Sequence, residues 1–347
     1  MNIIHSSSIS VLESAKAIAA GSRHVTISSE GVNSVATKLS ELEENAIGLG
    51  EPEGSPSLLE PVGLSGDEDL LNWIFFLDTL NFCFWSDEPT LFTVRYRNKF
   101  WTGYRALEAA ASRAIEAGTP LHRPSYFGHM SLAQLEEVFR SETHVPIPLL
   151  EQRLHCLHEV ASVLQEHCGG KVSRLVEICD KDAVRLAHQL AASFPCFRDQ
   201  ATYDGQTVVF LKRAQIFPAD LWNRFGGTRY GEFRNIGDLT MFADYRVPQT
   251  LQYFGVLHYS KQLLSRLRDG VELPQGCTEE VEIRGCSIWA VELIKQRIEE
   301  LRVSDGSHTP NSPVYSVAID YWLWNYAKTQ AKVMTQFPIH HTRTIFY

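Results

Sequence analysis

Long apolar runs are missing from this sequence. No stretch reaches the ~18 uninterrupted apolar residues that a membrane-spanning helix needs, and the densest tract, around Trp73–Trp85, is broken by Asp78 and Asn81. No membrane partner is therefore expected. The start, Met-Asn-Ile-Ile-His, lacks the basic-then-apolar pattern of a secretory leader. Excess basic charge is missing too. Lys and Arg number 32 against 41 Asp and Glu, a net charge of −9 over 347 residues, which argues against a surface built to neutralise duplex phosphates. Cysteine is sparse: Cys83, Cys156, Cys168, Cys179, Cys196, Cys277 and Cys286 are odd in number and contain no C-x-x-C pair. A disulfide framework or structural zinc site is not expected, and reduced thiols in a cytosolic or nuclear setting fit better. There is no G-x-G-x-x-G, no P-loop, no H-E-x-x-H and no G-x-S-x-G. Neither a cofactor nor a metal is called for.

What is present is an ordinary globular balance of 44% hydrophobic and 21% charged residues. Apolar residues recur at helical spacing in most of the chain, beginning with 10–20, where Ser10 reads as a cap. Further helices are predicted over 31–42, 70–85 (with an irregular end), 104–117, 149–167, 181–194, 213–223, 248–254, 260–267, 279–301 and 314–329. Two short β-hairpins are predicted, at Leu91–Thr102 through Arg97-Asn98 and at Ala201–Leu211 through Asp204-Gly205. The expected fold is mainly α with one or two short β-hairpins. One domain is expected over 1–347, carrying a flexible surface loop at about 45–69, where Gly, Pro, Ser, Glu and Asp crowd together. His155 and His158 read as solvated helix residues, and His340-His341 is open in meaning.

Three segments place polar groups where the pattern wants core, and burying these is costly unless each is hydrogen-bonded. In Leu77–Trp85, Asp78 reads as a cap or an acceptor for backbone donors, while Asn81 and Trp85 are candidates for lining a pocket. In Leu239–Gln249, Asp244 follows Met241-Phe242-Ala243 and precedes Pro248, which suits a first helical position. An acid near a helix start is stabilised as an anion, so Asp244 reads either as a structural contact or as a carboxylate at the end of an apolar cleft. In Ile319–Tyr326, Asp320 and Trp324 share a helix face at i, i+4, and Asn325 lies about 140° round from Asp320.

Asp78-Thr-Leu-Asn-Phe-Cys-Phe-Trp-Ser86, Tyr96, Gly103-Tyr104, Met241-Phe-Ala-Asp-Tyr-Arg-Val-Pro-Gln249, Glu282-Ile-Arg-Gly-Cys-Ser287, Asp320-Tyr-Trp-Leu-Trp-Asn-Tyr326 and His341-Thr-Arg-Thr-Ile-Phe-Tyr347 together resemble the queuosine salvage proteins, in that family's order, from about residue 10 to the end. The resemblance implies a queuosine 5′-monophosphate N-glycosidase that releases queuine for reuse by a tRNA transglycosylase. It also implies a fold similar to helix-hairpin-helix DNA glycosylases. Asp244 would be the catalytic carboxylate, as nucleophile or as stabiliser of an oxocarbenium-like transition state. Phe242, Asp320, Tyr321, Asn325, Asn81 and Trp85 would contact substrate. Relatives often carry Asp where this chain has Asn325, which keeps a hydrogen bond to the queuine side arm but loses a charge. Lys212, Arg213, Arg246, Arg284 and Arg343 are candidates for holding the phosphate. The alternatives weighed are a non-catalytic queuine or nucleotide carrier, a DNA-repair glycosylase and a helical scaffold.

Overall fold

The computed structural model describes residues 9–41, 59–87, 90–304 and 313–347. In chain order they form α1 (Val11–Gly21), β1 (Val25–Ile27), α2 (Ser29–Ser40), α3 (Asp67–Thr79), β2 (Thr93–Tyr96), β3 (Lys99–Thr102), α4 (Tyr104–Glu116), α5 (Pro124–Phe127), α6 (Leu132–Val138), α7 (Leu150–Cys168), α8 (Val172–Glu177), α9 (Ala183–Ser193), β4 (Gln200–Tyr203), β5 (Gln206–Val209), α10 (Lys212–Arg224), α11 (Arg246–Tyr253), β6 (Leu257–Tyr259), α12 (Lys261–Arg268), α13 (Thr278–Ser304), α14 (Ser316–Thr329) and α15 (Ala331–Met334). The fold is mainly α. Side-chain caps open several helices: Ser10, Ser28, Ser131 and Ser260 each accept the N–H three residues on, at 3.1–3.3 Å. No helix among the described residues is long and apolar enough to cross a membrane. Most of the loop expected at 45–69 falls outside the described residues, and its last part is already the first turn of α3.

Both expected hairpins form. Their turns need left-handed backbone at two successive positions, supplied by Arg97 and Asn98 (φ 47° and 61°) and by Asp204 and Gly205 (φ 45° and 79°). A third ribbon was not foreseen: β1 pairs antiparallel with β6, Val25 opposite Tyr259 and Ile27 opposite Leu257.

Helix α13 is the central post. Helices α1, α2, α11 and α14 pack on it, and Val281, Ile283, Cys286, Ile288, Val291 and Ile294 along it are buried. Helix α1 crosses where α13 carries Gly285, since a Cβ there would lie 2.6 Å from the Ile18 side chain. One turn earlier, the buried Glu282 accepts the N–H groups of Arg23 and His24 and the hydroxyls of Ser22 and Tyr203, at 2.6–3.0 Å. Burial opposes its charge, but those bonds outweigh burial and hold the carboxyl below its usual range. Helix α3 brings Trp73, Phe75 and Phe76 into the same core, each worth about 1.5–3 kcal/mol of transfer energy. All seven cysteines are free. His155 is exposed, but His158 is half-buried, with its ring nitrogen 2.9 Å from the Met130 carbonyl.

Candidate active site

The C-terminus of α3 points its last carbonyls into the core, where no water can take them. Two buried arginines do so instead. Arg213 donates to the carbonyls of Asp78, Thr79 and Cys196. Arg153 donates to those of Leu80, Phe82 and Cys83. Cations at a helix C-terminus are favourable on dipole grounds as well. Cys83 takes a left-handed conformation (φ 43°) and its N–H donates to the carbonyl of Tyr347 at 2.8 Å. The chain from Asn81 to Ser86 is thereby pinned as an irregular wall of a cavity. Trp85 stacks on His341, centroids 4.5 Å apart and planes 14° apart, and its indole N–H donates to the Thr342 carbonyl.

The opposite wall is the extended segment 239–244. Each residue that matters is tied to a different helix. Thr240 N–H donates to Gln215 of α10 at 3.0 Å. Phe242 N–H donates to Asp320 Oδ1 of α14 at 2.9 Å. The Ala243 carbonyl accepts from Arg284 Nε of α13 at 3.0 Å. Arg284 itself is buried between the rings of Phe210 and Tyr347 and forms a fork with Asp199 at 2.9 and 2.6 Å. Asp199 Oδ2 also accepts the backbone N–H of Lys212.

Asp244 then meets the start of α11. Its Oδ1 accepts the N–H of Arg246 at 2.8 Å and of Val247 at 2.9 Å. The helix begins at Arg246, two residues before the expected start, so Pro248 sits at the third helical position, where its missing N–H still costs nothing. That earlier start is what frees two donors for the carboxylate. With Oδ1 so occupied, Oδ2 takes no protein hydrogen bond among the described residues.

A cavity of about 320 Å³ lies between these walls. Asn81, Trp85, Phe242, Asp244, Asp320, Tyr321 and Asn325, the seven residues singled out from sequence, all line it. Helix α14 contributes Asp320, Tyr321, Trp324, Asn325 and Lys328, a face wide enough to take in Asn325 despite its offset. Phe242 meets Tyr321 edge-on at 6.1 Å, and the Tyr321 hydroxyl donates to Asp220 at 2.8 Å. Burial first, then the Asp244 charge, raises the Asp320 carboxyl well above its usual range, against the Phe242 N–H and Lys212.

Of the five phosphate candidates, Lys212 and Arg246 line the cavity, while Arg213 and Arg284 are spent on internal carbonyls and Asp199. Arg343 lies over Trp85 and pairs with Asp87 and Glu272. Arg105 and Lys328 line the cavity and were missed. Burial, with Arg246 and Arg105 close by, presses Lys328 down to about 8. The signal for Lys328 was its place at i+8 from Asp320 on one helix face; Asp220 carried none. Asp78 does not cap a helix and satisfies no backbone donor. It is wholly buried, and neither carboxyl oxygen has a partner among the described residues. Burial, then Asp220, raises its carboxyl well above the ordinary range.

Residues 62–347 match the family described as queuosine salvage protein. The chain belongs to the queuosine salvage protein family. A relative from Mus musculus, named queuosine 5′-phosphate N-glycosylase/hydrolase, is 42% identical over 340 residues, spanning 98% of this chain and 99% of its own. Proteins of the same name from Sphaerobacter thermophilus (41% over 282 residues, 81% of this chain and 83% of its own) and Schizosaccharomyces pombe (36% over 358 aligned positions, 97% and 99%) are similar as well. In this queuosine salvage protein, the quoted segments 78–86, 103–104, 241–249, 320–326 and 341–347 all contribute to the cavity wall, Arg284 of 282–287 bonds the Ala243 carbonyl on it, and Tyr96 bonds Glu116 instead.

Proposed function

We propose that this protein hydrolyses the N-glycosidic bond of queuosine 5′-phosphate and releases the base queuine. One observation carries the reading. A carboxylate, Asp244, is clamped through one oxygen by a helix start, and its other oxygen is left for a cavity lined by Phe242, Asp320 and Trp324. As the C1′–N bond lengthens, the sugar acquires oxocarbenium character. A fixed carboxylate stabilises that charge more strongly in an aromatic, water-poor cavity than in solution. The bond's electron pair leaves with the base, the oxygen of water joins C1′, and a water proton ends on the base nitrogen. Whether Asp244 Oδ2 first bonds to C1′ or only faces it, the same balance results. Phe242 and Asp320 meet the base, by stacking and by the carboxyl oxygen turned from the Phe242 N–H.

Arg105, Arg246 and Lys328 supply the phosphate grip. Burial first, then the charges of Arg246 and Arg105, lowers Lys328; all three cations line the cavity, Arg105 beside Glu108, and a phosphate neutralises their mutual repulsion. The test is incubation of wild type, Asp244→Asn and Asp244→Ala with queuosine 5′-phosphate and chromatographic detection of free queuine. Wild type releases the base, and both variants bind substrate but lose at least about 10³-fold in turnover. Near-normal release by either variant, or binding without release by wild type, overturns the proposal.

A further inference from the structure

Lys212 is 5% exposed yet sits on the cavity wall. Its ammonium has three N–H donors and no acceptor. One bonds the Asn81 carbonyl at 2.9 Å and a second the Asn81 side-chain Oδ1 at 3.3 Å. No third protein partner is present among the described residues. Because an ammonium can only donate, the Asn81 carboxamide has one possible orientation: Oδ1 toward Lys212, N–H₂ turned away. Asn81 is 8% exposed and lines the same cavity, and its N–H₂ has no protein partner among the described residues either. Two nearly buried side chains thus carry unspent donors at one wall of the cavity.

We propose that Lys212 is a positioning residue for the departing base, locking the N–H₂ of Asn81 toward the cavity and adding an N–H of its own. The inference rests on the glycosidase reading above. The ligand edge facing this wall must then carry acceptors, as a purine-like base does at its ring nitrogens and carbonyl. When the glycosidic bond breaks, its electron pair passes onto the base, so these donors bind the transition state more strongly than the substrate. Leaving-group departure is assisted in this way by two fixed donors.

Lys212 is faced by Asp78 from α3, Asp244 from the opposite wall, Asp320 from α14, and Arg213 from its own helix. Burial brings its pKa down to about 8, with Arg213 adding and the three acids opposing. The ammonium that orients Asn81 is therefore lost as pH rises through that value. The experiment is the pH profile of kcat and kcat/KM between about pH 6 and 10 for wild type, Lys212→Arg, Lys212→Met and Lys328→Met. Wild type should decline above its alkaline limb. K212R should retain partial activity with the limb moved to higher pH. K212M should lose about 100-fold, chiefly in kcat, with no limb left. K328M should keep the limb, although Lys328 also titrates near 8.

Near-wild-type kcat in K212M, or a limb that vanishes in K328M and persists in K212M, overturns the assignment. If K212M does not fold, a K212R limb at the wild-type position does the same. Calorimetric binding of queuine to wild type and K212R separates this inference from the reaction it rests on. Identical loss of affinity with pH in the two proteins overturns the role of Lys212 whether or not base release is seen. Absence of release, with the pH-dependence of binding moved upward in K212R, overturns the reaction alone.

Discussion

At the scale of single residues, the site is built from groups that would be unfavourable anywhere else. Asp78, Lys212 and Asp320 are each no more than 5% exposed, and burial displaces the titration of each toward its neutral form. Asp78 makes this testable apart from catalysis. Its carboxyl keeps its proton to a higher pH in the folded protein than in the unfolded chain, where it is lost near the ordinary value of ~3.9. The associated stability is complete below that unfolded value and lost as pH rises toward the folded one. Asp78→Asn, which cannot ionise, should therefore gain thermal stability over wild type between acid and neutral pH. The gain should be largest at neutrality and vanish below about pH 4. A midpoint difference that does not change with pH would show that the charge is not what Asp78 costs. Asp78 was visible in the sequence as an acid inside an apolar tract. Its partnerless state was not, because whether a buried carboxyl finds donors depends on what folds around it.

At the scale of elements, the helices and hairpins follow from local signals. Serines stand before apolar periodicity, and Arg97-Asn98 and Asp204-Gly205 stand between β-prone runs. The β1–β6 ribbon has no such signal, since three-residue strands at 25 and 257 become strands only by meeting. The segment 239–244 is likewise irregular, and its shape is imposed by Gln215, Asp320 and Arg284 from three separate helices. Arg284 is the strongest of these ties, because it joins α13 to Ala243 and to the Asp199 that holds the start of α10. Arg284→Met leaves Asp199 buried without its counter-charge and should cost ~3–5 kcal/mol in denaturant unfolding. Arg284→Lys restores the charge but not the fork and should recover only part of that loss. Wild-type stability in Arg284→Met would remove the guanidinium from the frame of the site.

At the scale of the whole molecule, one apolar cluster runs from Val11 to Tyr347, and the cavity opens where the chain after α3, the start of α4, α10, α14, the start of α11 and the C-terminal segment meet. The net charge of −9 makes this surface a poor match for a polyanion, although Arg105, Arg246 and Lys328 line the cavity. A duplex-DNA titration at two salt concentrations should show no binding beyond the weak non-specific range, ~10⁻⁴ M or looser. Tight binding with a steep salt dependence would instead favour a repair-type activity.

The order of residues along the chain was enough to set the mainly α character, both hairpins and the candidates Asn81, Trp85, Asp244, Asp320 and Asn325 now found around one cavity, since periodicity, turn chemistry and polar interruptions of apolar runs are local properties that survive in a linear reading; Phe242 and Tyr321 were marked by the family resemblance. Folding in three dimensions had to assign the cations. Lys212, Arg213, Arg284 and Lys328 look alike as letters, and each acquires its task from partners that lie far away in sequence, because a charge in a water-poor interior is defined by the acceptors and the burial that surround it.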